Sequence, residues 1–129
     1  MSGKVVRRAA FDIGSGAMKV QIADVRQSCA AAPATIVRLL HGEEVPVKFG
    51  VDLSKQPSGN LTEGIRARGL EVLARLVSTA RARGAVGPFP GVATEVFRKA
   101  KNGPAYLDEL RTLGVKVECV PQETEAWLG

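Results

Sequence analysis

The sequence predicts a single α/β domain, in which helices pack on a mixed β-sheet. Short runs rich in Val, Ile and Ala open the chain, an apolar stripe with helical spacing occupies its centre, and strand and helix patterns alternate towards its end. With 129 residues, 45% of them hydrophobic and 24% charged, the chain is large enough to bury one core and too apolar to be disordered throughout.

The opening of the chain predicts two strands, over residues 4–13 and 18–25, joined by a tight turn. The second run alternates apolar and polar residues, as a half-buried strand does. Residues 35–50 then predict either one long strand or a hairpin that turns at the stretch HGEE. His41 is placed on that exposed turn and given no catalytic role, because the sequence shows no partner for it.

One long amphipathic helix is predicted after the turn-rich residues 51–60, and it ends near Gly84. Asn60 stands three residues before Glu63, which is the spacing of a capping box. The stripe that defines the helix consists of Leu61, Ile65, Leu73, Leu76 and Ala80. The arginines of this helix lie largely away from the stripe, so they favour a solvated face.

The second half of the chain alternates short elements. Residues 87–94 predict a strand, 95–101 one or two helical turns, 102–114 a helix that ends at Gly114, 115–120 a strand and 122–129 the start of a helix. The predicted order is β-β-β-α-β-α-β-α. Because the apolar Trp127 and Leu128 come last, we expect a fragment of a longer gene product.

The charge balance favours an anionic partner. The chain carries 18 Lys and Arg against 13 Asp and Glu, a formal charge of +5, which suits nucleic acid, nucleotide or polyphosphate. Its few aromatic residues are scattered, so no stacking platform is visible and no nucleic acid is expected.

The two cysteines, Cys29 and Cys119, lie far apart and fit reduced thiols. No apolar stretch approaches the roughly 20 residues of a membrane span, and no signal peptide is visible. We therefore expect a cytoplasmic protein with no membrane partner.

The turn between the first two strands reads DIGSGAMK and carries the candidate chemistry. The backbone N–H groups of Gly14, Ser15 and Gly16 can surround an anion, Lys19 can add charge and Asp12 can hold a divalent cation through water. Such turns also occur as plain hairpins, and the spacing alone favours that reading.

The turn resembles the first phosphate loop of the actin-like ATPase superfamily, and the C-terminal quarter resembles one branch of it. Residues 91–129 look like the signature of the exopolyphosphatase/guanosine pentaphosphate phosphatase (Ppx/GppA) family. That signature runs Ala-Thr-(x)3-Arg-(x)3-Asn and later Glu-Glu-Ala-x-Leu. The matching positions are Ala93, Thr94, Arg98, Asn102, Glu125, Ala126 and Leu128. Both stretches stand in the expected order, so the resemblance spans nearly the whole chain.

The resemblance implies the N-terminal lobe of a two-lobed enzyme with an RNase-H-like, actin-type fold and its active site between the lobes. Family members remove the terminal phosphate of inorganic polyphosphate or guanosine pentaphosphate with Mg²⁺. By this resemblance Asp12 binds the metal and Glu125 is the catalytic carboxylate that orients and deprotonates a water. The positions that bind phosphate or line the cleft are Gly14, Ser15, Gly16, Lys19, Arg98 and Asn102. Without the family, Arg98 is an ordinary surface cation, Asn102 a helix cap, and Glu125 a charge that favours a helix N-terminus.

The sequence departs from the family pattern in ways that keep a second function open. Gly16 and Ala17 replace side chains that usually donate to phosphate, and Thr124 replaces the first glutamate of the Glu-Glu pair. A binding or regulatory protein that has lost catalysis is therefore the alternative. Another actin-like ATPase, such as half of a kinase, ranks last because it leaves the Ppx/GppA signature unexplained.

A second, glycine-rich phosphate loop should follow in the family but is not present in these 129 residues. We therefore expect the chain alone to be inactive and to need the missing C-terminal lobe as its partner. The exposed cleft surface favours self-association of the chain as a homodimer.

Overall fold

A computed structural model of the chain describes residues 4–27 and 35–120. These ranges contain β1 (Lys4–Ile13), β2 (Ala17–Gln27), β3 (Thr35–Pro46), α1 (Phe49–Ser54), α2 (Glu63–Ala82), β4 (Phe89–Ala93), α3 (Val96–Lys99), α4 (Gly103–Arg111) and β5 (Val115–Cys119). The final predicted helix, over residues 122–129, lies outside the described residues, as does Cys29.

The five strands form one mixed sheet in the order β3-β2-β1-β4-β5. The first three strands pair antiparallel, whereas β1, β4 and β5 run parallel to one another. The predicted mixed α/β architecture is thus confirmed. Since parallel strands end at a common edge, the chain leaves β1, β4 and β5 at the same edge of the sheet, and the turn after β1 lies there.

The core forms between α2 and the inward-facing residues of the sheet. The predicted helical stripe is confirmed for Leu73, Leu76 and Ala80, which are completely buried, whereas Leu61 precedes α2 and Ile65 is only partly buried. Phe49, Phe97 and Tyr106 cluster beneath α2, and the Phe49 ring centroid lies 5.0 Å from that of Phe97 and 5.8 Å from that of Tyr106. Burial raises the pKa of Tyr106, and its protonated hydroxyl donates to the carbonyl of Arg66 at 2.9 Å.

Residues 35–46 form one continuous strand, so the hairpin alternative is wrong. His41 does not lie on a turn but pairs with Ile22 of β2, and its Nε2 lies 3.2 Å from Oε1 of Glu43. The physical reason is that β2 is long enough to offer β3 hydrogen-bonding partners along its length. The register of this pairing shifts twice, between Ile22 and Ala23 and between Asp24 and Val25 of β2, and β3 continues beyond both irregularities.

The segment predicted as turns contains a short helix, α1, and the long helix begins later than the capping-box spacing indicates. Thr62, not Asn60, is the N-cap of α2, because its Oγ1 accepts a hydrogen bond from the amide of Ile65 at 3.3 Å. The carboxylate of Asp52 accepts from the amide and the hydroxyl of Thr62 at 3.0 and 2.7 Å, which ties α1 to the start of α2. The predicted end is confirmed, since Gly84 follows α2 with a φ of +88°.

The described residues also bear on the expectations about cysteines and membrane spans. Cys119 is a free thiol at the end of β5. Within residues 4–27 and 35–120, no helix combines the length and the apolar character that crossing a bilayer needs.

Candidate functional site

The turn between β1 and β2 is closed by one of its own amides. The N–H of Gly14 donates to the carbonyl of Ala17 at 2.9 Å, so this amide is used within the hairpin. The amides of Ser15 and Gly16 make no hydrogen bond to another described residue. Of the three amides from which the sequence predicts an anion cradle, two are therefore left without a hydrogen bond to a described residue.

The glycines of this turn do not adopt positive φ, which in the described chain occurs at Gly59, Gly84 and Gly114. What matters at Gly14 and Gly16 is instead the absence of a side chain. A Cβ at Gly14 would lie 3.3 Å from the carbonyl oxygen of Ala17, whereas a Cβ at Gly16 would meet no atom of the described residues within 4 Å. Gly16 thus leaves open space beside the free amides, which allows a ligand to approach the backbone.

The segment between β3 and α1 braces the turn. The amide of Gly50 donates to the carbonyl of Ser15 at 2.8 Å, and that of Val47 donates to the carbonyl of Gly16 at 3.1 Å. In a planar trans peptide, the carbonyl of one residue and the N–H of the next point in opposite directions. The Gly50 contact therefore holds the N–H of Gly16 pointing away from α1.

Asp12 and Lys19 face each other across β1 and β2 as directly paired residues. Asp12 is half-buried and already takes part in interactions, while Lys19 is exposed and its Nζ lies 3.4 Å from Oε1 of Glu44. Both side chains lie next to the turn, on the face of the sheet opposite Phe11 and Ile13, which are buried beneath the helices.

The ends of β4 and β5 bring Thr94 and Arg98 to the same edge. The amide of Thr94 donates to the carbonyl of Ile13 at 3.3 Å, which joins the end of β4 to the end of β1. Arg98, exposed on α3, donates through Nη2 to the carbonyl of Cys119 at 3.0 Å. The structure thus gathers the turn and Arg98 at one edge, although they are far apart in sequence.

Asn102 has a structural partner within the described chain. Its Oδ1 accepts from the amide of Leu61 at 2.9 Å, and its Nδ2 donates to the carbonyl of the same residue at 3.0 Å. Asn102 is also the N-cap residue of α4, but its side chain makes no capping hydrogen bond. Its amide therefore links the start of α4 to the segment before α2. Glu125, the predicted catalytic residue, lies outside the described residues.

A cleft of about 330 Å³ opens beside the turn, between α1 and α3. Its lining consists of Ser15, Gly50, Leu53, Ser54, Thr94, Glu95, Val96 and Lys99. The sequence analysis missed Gly50 and Lys99 as site residues and noted Thr94 only as a position of the signature. Gly50 could not be found by spacing, because its contact with Ser15 spans more than thirty residues of chain.

The donor set near the turn fits Mg²⁺ only together with a phosphate ligand. Among residues 4–27 and 35–120, no three His, Cys, Asp or Glu side chains come together to hold a metal ion. Asp12 supplies one carboxylate, and Mg²⁺ in phosphate sites commonly uses one or two carboxylates with waters and phosphate oxygens. Asp12 is therefore the residue that would hold the ion.

Comparison with known proteins finds solved structures that are similar to this chain in fold. No protein-family model matches the chain, and no curated protein matches it in sequence. The crystal structure of the Ppx/GppA family member from Aquifex aeolicus matches with a TM-score of 0.75 at 23% identity, over 93% of this chain and 36% of that one. The chain has the fold of a Ppx/GppA lobe. An exopolyphosphatase from Cytophaga hutchinsonii also matches, with a TM-score of 0.71 at 20% identity, over 89% of this chain and 34% of that one.

The predicted actin-like, RNase-H-like lobe is therefore confirmed as a fold. At these identities the likeness concerns the fold alone. The chain spans about a third of the length of the Ppx/GppA structures it matches.

Proposed function

We propose that this chain is the N-terminal, phosphate-binding lobe of a Ppx/GppA-type phosphatase. The reaction is the hydrolysis of the terminal phosphoanhydride bond of inorganic polyphosphate or guanosine pentaphosphate. The observation that carries the proposal is the braced turn, which presents the amides of Ser15 and Gly16 at the carboxyl edge of a sheet with the Ppx/GppA fold. The net charge of +5 favours a long polyanion, and polyphosphate is the preferred substrate.

The described residues supply binding and orientation. The two free amides bind oxygens of the terminal phosphoryl group, and the Gly16 amide, held by the Gly50 contact, needs no rearrangement when the ligand arrives. Arg98 lies on the same edge and adds positive charge from α3. Mg²⁺, when bound, neutralises phosphate charge, and Asp12 is its protein ligand in this proposal.

Glu125 carries the water chemistry in this proposal. A phosphoanhydride already has a good leaving group, so the protein has to place a water in line with the bond and take its proton. The family resemblance assigns that role to Glu125.

The active site needs both lobes in this proposal, because this chain covers only 36% and 34% of the lengths of the two matched structures. We therefore expect the 129-residue chain alone to release no phosphate from polyphosphate. Appreciable turnover by the isolated chain would contradict the two-lobe site.

The test is Mg²⁺-dependent phosphate release from polyphosphate, guanosine pentaphosphate and ATP by the longest natural product of the gene. Glu125→Gln should abolish release while polyphosphate binding is retained, and Glu123→Gln, a nearby carboxyl-to-amide change, should keep most of the activity. Binding without release by the parent protein would favour the alternative function, a polyphosphate-binding protein without catalysis, which the substitutions at Gly16 and Ala17 motivate. Neither binding nor release would reject both.

A further inference from the structure

We propose that the cleft between α1 and α3 is a second phosphoryl subsite, and that Lys99 is the cation that binds the phosphates placed there. The subsite takes the phosphates that precede the terminal one in a polyphosphate chain. This inference rests on the proposed function, because it takes the turn as the site of the terminal phosphate.

The cleft is continuous with the turn. Ser15 belongs to both, since it is the central residue of the turn and lines the cleft. Gly50 also lines the cleft, and its amide donates to the carbonyl of Ser15 at 2.8 Å. This hydrogen bond fixes α1, which forms one wall of the cleft, relative to the turn. The turn and the cleft are therefore adjacent and share Ser15.

The size and lining of the cleft fit a short run of phosphates. Its volume of about 330 Å³ lies at the low end of the range for small-ligand sites, which is roughly 300–1,000 Å³. Hydroxyls come from Ser15, Ser54 and Thr94, and the Oγ1 of Thr94 has no hydrogen-bond partner among the described residues. Among the described residues that line the cleft none is aromatic, so this part of the lining offers no stacking surface of the kind a nucleobase uses.

Lys99 supplies the positive charge of this cleft. It is exposed and forms no ion pair with any described residue, unlike Arg68, Arg75 and Arg111, whose charges are paired within the chain. Glu95 is the one acid among the described lining residues. Because Arg98 stands next to Lys99 on α3, the charge of this region stays positive despite Glu95.

The experiment is isothermal titration of the 129-residue chain with orthophosphate and with tripolyphosphate at low ionic strength. In this proposal orthophosphate occupies the turn, whereas tripolyphosphate occupies the turn and also extends into the cleft. Lys99→Ala should weaken tripolyphosphate binding about two- to fivefold, the size of one exposed charge contact, and leave orthophosphate binding nearly unchanged. Lys99→Arg keeps the charge and should restore most of the affinity.

The matched control is Lys116→Ala, which removes another exposed lysine from β5, away from the cleft. Equal effects of Lys99→Ala and Lys116→Ala on tripolyphosphate would overturn the subsite, because they would indicate a general charge effect. An equal loss for both ligands would also overturn it. If the parent chain binds neither ligand, the turn itself fails as a phosphate site, which rejects the proposed function as well as the subsite.

Discussion

Replacing Asn102 by alanine separates the structural role of this residue from a role in ligand binding. The side chain makes two hydrogen bonds with the backbone of Leu61, at 2.9 and 3.0 Å, and these join the starts of α2 and α4. Alanine removes both partners and leaves the amide and carbonyl of a residue that is only 2% exposed. Those groups then lack partners where water has poor access.

The expected loss follows from these two bonds. A typical intramolecular hydrogen bond contributes about 1 kcal/mol net, and an unsatisfied buried group costs about 1–3 kcal/mol. We therefore expect Asn102→Ala to lower the free energy of unfolding by about 2–3 kcal/mol. For a domain of this size the melting temperature should fall by roughly 6–12 °C.

Chemical denaturation of the parent and the variant measures this loss. The midpoint should fall while the denaturant slope stays constant, because the surface exposed on unfolding is unchanged. Asn60→Ala is the control in the same segment, since the Asn60 side chain makes no hydrogen bond with another described residue. A loss below about 0.5 kcal/mol, or one equal to that of the control, would refute the structural role. Orthophosphate affinity of the folded variant should stay within twofold of the parent, and a larger change would place Asn102 at the ligand.

Three further outcomes follow from contacts in the structure. Gly50→Ala keeps the amide that braces Ser15 but puts a Cβ 3.3 Å from that of Ser15, so titration should show weaker phosphate binding. The melting temperature should stay the same or rise because alanine favours helix. Unchanged affinity would contradict a phosphate site that depends on the position of Ser15. Gly69→Ala drives a Cβ into the aromatic cluster and should cost at least about 2 kcal/mol in denaturation, and a neutral result would show that the core is looser than described. The hydrogen bond from Arg7 lowers the pKa of Asp24, so its contribution is present above the unfolded pKa of about 3.9 and is lost as the pH falls through the lower folded value. Melting curves of the parent and Asp24→Asn should thus converge below about pH 4, and a constant gap would contradict the pair.

The sequence predicted those elements whose patterns are local. The stripe of α2, the alternation of β5 and the glycine after α2 each depend on neighbouring residues. The continuity of β3 depends on β2, and α1 depends on the contact between Asp52 and Thr62, so neither could be found from a short window of sequence.

The sequence indicates which residues are candidates for the site, but not which contacts they make. The turn and Arg98 stand out as motif positions, and the parallel strands bring them to one edge. The bracing by Gly50 and the link between Asn102 and Leu61 join residues that are distant in sequence. Spacing also predicted three converging amides, whereas the hairpin uses the amide of Gly14 for its own closure.

The binding of phosphate by the braced turn is tested most directly by the backbone amide resonances of the 129-residue chain during titration with orthophosphate. We predict that the amide signals of Ser15 and Gly16 shift together with one dissociation constant, and that Gly50→Ala reduces the shifts. Signals of these two residues that stay in place at saturating phosphate would contradict the phosphate-binding turn.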